Sequence, residues 1–185
     1  LFGVANGATI ENLNIVSARI LGIATYGGIL VGTAVNTTIT NIRINGTFKG
    51  EAVVFGGLIG YANPATITEI LVEVAIDNSA EYSGLLTGSS NSPSTHTRCF
   101  VAGSIVNTIV AVGGLSGSSF VASYTDCASQ LTLADTPENA GGLIGYSFFP
   151  SITNCYSAST LRALEKIGGL IGDDNRAGGT FLNSY

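Results

Sequence analysis

The 185-residue chain contains no methionine, no tryptophan, a single histidine and only 10% charged residues. Seven Lys and Arg stand against twelve Asp and Glu, and the formal net charge of −5 excludes the basic footprint that holds nucleic acid or an anionic membrane. No apolar run approaches the roughly 18–20 residues needed to cross a bilayer, so the mean hydropathy of +0.43 does not signal membrane insertion. A helical period is absent throughout, which removes amphipathic helices from the fold. The three cysteines form no Cys-x-x-Cys pair, and no metal or cofactor is expected.

Glycine is what the chain has in quantity, 25 residues of it. Seven times the pattern Leu-x-Gly recurs, ending at Gly3, Gly32, Gly60, Gly88, Gly117, Gly145 and Gly172, at intervals of 27 to 29 residues. A fixed period of this size marks stacked units, none of which can bury its apolar face alone. The units align over almost the whole chain and predict a single repeat domain, residues 1–185, of about six and a half coils. The first unit begins inside the glycine motif and the last stops after the next strand, so the chain is read as a segment of something longer.

Within a unit the alternation of side chains is direct. Ile10, Leu13 and Ile15 are matched by Ile39, Ile42 and Ile44 and by Ile67, Ile70 and Val72. The step of two gives a half-buried strand, and the preceding step of three implies a bend at Asn12, Asn41 and Asn154, whose short amides tolerate turn conformations. The fold class that follows is all-β, a parallel β-solenoid with a period near 28 residues and two or three short strands per coil. The leucines of Leu-x-Gly stack inside, and the glycines serve either close backbone approach or positive φ at a corner.

Cys99, Cys127 and Cys155 are one period apart and continue a column of Leu13, Ile42 and Ile70. This is an inward position, and the expected state is a ladder of buried free thiols, because in-register Cβ vectors run parallel instead of converging on a disulfide.

The units GGLIGYANPATITEI and GGLIGYSFFPSITNCYSAS, beginning at Gly56 and Gly141, resemble the GLUG motif, a short repeat of large secreted or surface proteins. The units at Gly28 and Gly84 depart from it by carrying Ile29 and Leu85 in place of the second glycine. The resemblance implies an extracellular, adhesin-like repeat architecture and no catalytic unit.

Residues that could carry chemistry are few. A polysaccharide-cleaving β-helix needs carboxylates from neighbouring coils on one outward face. The outward columns hold no two adjacent acids: Asn12, Asn41, Glu69, Arg98, Asp126 and Asn154 form one, and Val16, Asn45, Glu73, Ala102, Gln130 and Ala158 another. His96 is read as a surface residue of the polar turn Ser94-Thr95-His96-Thr97, and Asp173-Asp174-Asn175 as a simple turn in preference to a calcium loop. Asn36 and Asn45 open N-glycosylation sequons. Thr40, Thr68, Thr97, Thr125 and Thr153 share a column, read as one Thr ladder that satisfies a turn and too narrow for an ice-binding face. A second outward column, Leu71, Phe100, Ala128, Tyr156 and Tyr185, is more apolar than a solvated sheet requires.

The expected function is a non-catalytic structural or adhesive segment, extracellular or at a cell surface, that presents a surface or assembles into fibres. Its partners would be protein or carbohydrate, or other copies of itself end to end or side by side, with Leu71, Phe100, Tyr156 and Tyr185 as the candidate contact. A polysaccharide-binding or polysaccharide-degrading β-helix and an ice-binding solenoid are the alternatives.

Overall fold

A computed structural model describes residues 1–91, 93–175 and 178–185. The chain winds as a parallel β-solenoid of about six turns with a period near 28 residues, and no helix occurs among the described residues. The first coil holds β1 (Phe2–Asn6) and β2 (Thr9–Gly28), the second β3 (Val31–Val35) and β4 (Thr37–Gly56). The third holds β5 (Ile59–Ala62) and β6 (Ala65–Gly84), the fourth β7 (Thr87–Asn91) and β8 (Thr95–Gly113). In the fifth the long strand is divided, giving β9 (Ser116–Phe120), β10 (Ser123–Thr125), β11 (Ala128–Leu133) and β12 (Asn139–Gly141). The sixth repeats this with β13 (Ile144–Phe148), β14 (Ser151–Thr153), β15 (Tyr156–Ser157) and β16 (Lys166–Gly168), and β17 (Ile171–Asp174) and β18 (Thr180–Leu182) follow. The short strands β1, β3, β5, β7, β9, β13 and β17 stack in chain order into one parallel sheet, and the longer segments stack into the other.

The long strands are longer than the expected two or three short pieces: β2, β4 and β6 each run for 20 residues without a break. They turn corners inside the strand because each bend is repeated in the next coil, so the pairing resumes in the same register on either side while the corner residues Asn12, Asn41, Glu69 and Arg98 drop out of it. A bend falls where the step of three places it. Asn12, Asn41, Glu69, Arg98, Asp126, Asn154 and Asn183 all have φ between 48° and 59°, the left-handed region that Asn and Asp visit more cheaply than other L-residues. Side chains then bond up the corner: Asn41 Nδ2 donates to Asn12 Oδ1 at 2.7 Å, Asn154 Nδ2 to Asp126 Oδ1 at 3.0 Å, and Asn183 Nδ2 to Asn154 Oδ1 at 3.1 Å. Arg98 and Glu69 form the charged version of the same contact at 2.8 Å.

The Leu-x-Gly glycines settle into one of their two expected roles. None has positive φ, whereas Gly7, Gly22 and Gly103 do. Instead all but Gly3 allow backbone to press on backbone: a Cβ at Gly60 would stand 2.7 Å from both Gly27 N and Gly32 O, a separation real Cβ atoms do not tolerate. The leucines of the motif fill the interior beside this thin corner, and Leu30, Leu58, Leu86, Leu115 and Leu143 are fully buried. Together with Ile39, Ile42, Ile67, Ile70, Val72 and the cysteines they form one continuous core.

Candidate functional site

The side chains that could carry chemistry fall into two groups inside the solenoid and three on its outward faces. The first interior group arises where the core changes character. In the fourth and fifth coils the short strands offer hydroxyls inward: Thr87 Oγ1 donates to Ser116 Oγ at 3.0 Å, and Ser116 Oγ to the Ser118 carbonyl at 2.6 Å. Against them lies His96, which the structure buries, contrary to the surface turn expected for it. The reason is register. Thr66, Ile67 and Thr68 pair with Thr95, His96 and Thr97, so His96 occupies the inward column of Ile39 and Ile67. Its Nδ1 donates to the Ser123 carbonyl at 3.1 Å, which leaves Nε2 to accept from the Ser90 hydroxyl at 3.3 Å. Burial pushes its pKa down to about 4, the Ser123 carbonyl opposing. The next rung is Tyr124, whose phenol ends beside the hydroxyls of Ser119, Ser116 and Ser90 without meeting any at hydrogen-bond geometry; burial pushes its pKa up to about 12.

The cysteines form a neighbouring interior column. Cys99, Cys127 and Cys155 are all free and buried. Each thiol lies within bonding distance of the carbonyl two residues earlier, that of Thr97, Thr125 or Thr153. The amide of Cys127 donates to Cys155 Sγ at 3.4 Å, and that of Cys155 to Ser184 Oγ at 3.1 Å, so the column supplies acceptors to backbone groups the corner leaves without a ladder partner. Contact with the Cys127 thiol first, and burial second, hold the Cys155 thiol well above its ordinary range.

On the outside, the structure brings Arg43, Leu71, Phe100, Ala128 and Tyr156 into one column of paired residues. Tyr185 continues it, its amide bonded to the Cys155 carbonyl and its ring 6.1 Å from that of Tyr156 at 21°. Phe100, Tyr156 and Tyr185 are exposed, Leu71 is half-buried and Ala128 is buried, so the stripe is interrupted at its middle. The adjacent outward column lines a shallow trough of about 680 Å3, bounded by Asn45, Glu73, Ala102, Gln130 and Thr132. It exists because Gly103, at φ +152°, sits directly over the Val74 carbonyl, where any side chain would collide. Among the described residues lining it, Glu73 is the one ionisable group. Asn45 is exposed at its rim, and Asn36 is exposed at a positive-φ corner with φ 48°.

The Thr column is not single. Two residues earlier in every coil stands a second outward column, Thr38, Thr66, Thr95, Ser123 and Ser151, in register from β4 through β6, β8 and β10 to β14. The signal is present in the sequence as Thr-Ile-Thr, Thr-Ile-Thr, Thr-His-Thr, Ser-Tyr-Thr and Ser-Ile-Thr, and reading the segment as a turn hides it. Asp173 and Asp174 also depart from expectation: they lie in β17, where Asp173 pairs with Lys166 at 2.7 Å and Asp174 accepts from Ser147 Oγ at 3.0 Å. Among the described residues no three His, Cys, Asp or Glu side chains are grouped to hold a metal.

Residues 136–161 match the family model described as the GLUG motif, consistent with a GLUG-motif repeat protein. The matched segment spans the glycine corner after β12, the Ser-Ile-Thr strand β14, and Tyr156 of the apolar stripe. Comparisons with curated proteins and with solved structures give no match.

Proposed function

We propose that this repeat-type structural rod works as a non-catalytic adhesive segment, extracellular or at a cell surface, and presents its outward stripe to protein or carbohydrate. The observation that carries the reading is the in-register exposure of Phe100, Tyr156 and Tyr185 on one face, with the Tyr156 and Tyr185 rings in tandem. Large exposed aromatics held on rigid strands lose little entropy on contact, which is why such residues dominate recognition surfaces. The glycine corners and apolar ladders are consumed in holding the coil together, so function falls to side chains that point outward. The test is retention of the protein on glycan arrays and on cell-surface extracts, compared with a Phe100→Ser/Tyr156→Ser variant of unchanged melting temperature. Loss of retention in the variant supports the reading. Equal retention, or none by the parent protein, removes the stripe as the contact. Sedimentation of the same pair separates binding to other molecules from side-by-side self-association.

A further inference from the structure

We propose that the double Thr/Ser face is an ice-binding surface, its ligand the ordered water of a crystal plane. The face consists of Thr38, Thr66, Thr95, Ser123 and Ser151 beside Thr40, Thr68, Thr97, Thr125 and Thr153, and its five coils pair without a register shift across either rank. Strand geometry sets the net. Neighbouring coils stand about 4.8 Å apart, and residues two apart along a strand about 6.7 Å apart, so hydroxyls and methyls repeat on a rectangular grid in two dimensions.

Three further observations separate this face from an ordinary solvated strand. First, among the described residues none of its ten hydroxyls bonds to another protein group, although the inward-facing Thr37, Thr87, Ser90 and Ser116 all do. Their hydrogen-bonding capacity is left entirely to water. Second, the grid is stiff. Eight of the ten are threonines, whose branched Cβ restricts χ1, and beneath them Ile39, Ile67, His96, Tyr124 and Ile152 are each exposed by 1% or less. Along the adjoining corner, Asn154 bonds to Asp126 and Arg98 to Glu69, tying two pairs of these coils together. Third, both ranks are free of charge over these five coils. Ionic groups begin only at the corner, with Glu69, Arg98 and Asp126.

These features disfavour other occupants. A protein partner is gripped by aromatic and Arg anchors, and a sugar polymer by aromatic platforms; this face has neither, and the aromatic stripe lies elsewhere. An ion would find no counter-charge. A crystal plane of water is different, because it presents the same weak acceptor and donor at every grid point. Many contacts, each negligible alone, then act as one multivalent attachment. Methyls between the hydroxyls hold the intervening water against apolar surface, where it orders, and the hydroxyls anchor it.

The proposal does not rest on the adhesive reading, and the two fail separately because they use different faces. The experiment is inhibition of ice recrystallisation by the whole protein, alongside Thr66→Tyr/Thr95→Tyr and Thr132→Tyr, the last on the trough face. Expected is inhibition by the parent and by Thr132→Tyr, and its loss in the double variant at unchanged circular dichroism. If the tyrosine pair disturbs folding, Thr95→Lys alone carries the same reading, since that side chain is exposed. Absence of inhibition by the parent protein overturns the proposal, as does inhibition that survives the face substitutions. Adsorption to crystalline cellulose or chitin without any effect on ice overturns it as well and assigns the grid to a polysaccharide.

Discussion

The imidazole of His96 lies flat on the ring of Tyr124, with centroids 4.4 Å apart and planes 11° from parallel. The two rings are successive rungs of one inward column, each one coil from the next. Flat stacking without a counter-ion suits a neutral imidazole, and among the described residues neither ring has a charged group as a hydrogen-bond or ring partner.

Acid should therefore loosen the middle of the rod. The unfolded chain protonates this ring around its ordinary 6.5, whereas the folded one resists until about 4. The stability tied to the neutral ring is complete above pH 6.5, declines through the interval, and is gone below about pH 4, a loss of about 3 kcal/mol in all. Melting temperatures recorded across that range should fall with pH in the parent protein. In His96→Ile, which installs the residue of Ile39 and Ile67 but removes the imidazole partner of the Ser90 hydroxyl and the Ser123 carbonyl, the slope attributable to this site should vanish, whatever happens to stability at neutral pH. An unchanged slope would show that other groups carry the acid sensitivity.

The Leu-x-Gly column makes a second prediction by contrast within itself. Gly60→Ala drives a methyl into the backbone of Gly27 and Gly32, and with no flexible side chain there to yield, a cost of about 1–3 kcal/mol or more is expected. Gly3 stands in the same column, but an added methyl there would meet nothing within 4 Å; Gly3→Ala should change stability by less than about 0.5 kcal/mol. Thermal denaturation of the two single variants checks both halves.

Periodicity alone made the coil legible, because spacing fixes which residues stack whatever their identity. Leu30, Leu58 and Leu86 had to share an interior level once Gly32, Gly60 and Gly88 shared a corner. The bend at Asn12, Asn41 and Asn154 was visible because a step of three cannot continue a two-residue alternation. What escaped was whatever required composition to be set aside in favour of register. Ser94-Thr95-His96-Thr97 has the composition of a turn, but its register partner is Thr66-Ile67-Thr68, and register decides burial. The same substitution of composition for register concealed the second Thr rank. The polar interior around Ser90, Ser116 and Tyr124 was illegible for a different reason: buried hydroxyls differ from exposed ones only in the partners they find.

The cysteine column should be chemically silent in the folded protein. All three thiols are buried and the Cys155 thiol is held above its ordinary range, so little thiolate is available to react. A thiol reagent at neutral pH should label none of Cys99, Cys127 or Cys155 in buffer and all three in denaturant, read by mass spectrometry. Rapid labelling in buffer would mean that the interior opens far more readily than its packing implies.

The positive-φ corner is the place where the chain can be improved. Asn occupies it at positions 12, 41, 154 and 183, and Asn41, Asn154 and Asn183 each donate to the coil before, whereas Glu69 and Arg98 hold the same left-handed φ with long side chains that meet each other as an ion pair. Their ion pair is exposed on both sides, and such pairs contribute only about 0–1 kcal/mol. Left-handed backbone costs an ordinary L-residue about 1–2 kcal/mol, a penalty Asn partly escapes. Replacing both at once, Glu69→Asn/Arg98→Asn, exchanges a weak ion pair for two relieved backbone positions and an amide ladder that runs from Asn12 to position 98, where the Asp126 carboxylate, which can only accept, interrupts it. The melting temperature should rise by a few degrees, and the gain should grow with added salt, since salt weakens the parent's ion pair and leaves the amides untouched. A fall in melting temperature at low salt that salt abolishes would show instead that the Arg98–Glu69 contact stabilises this corner more than its exposure implies.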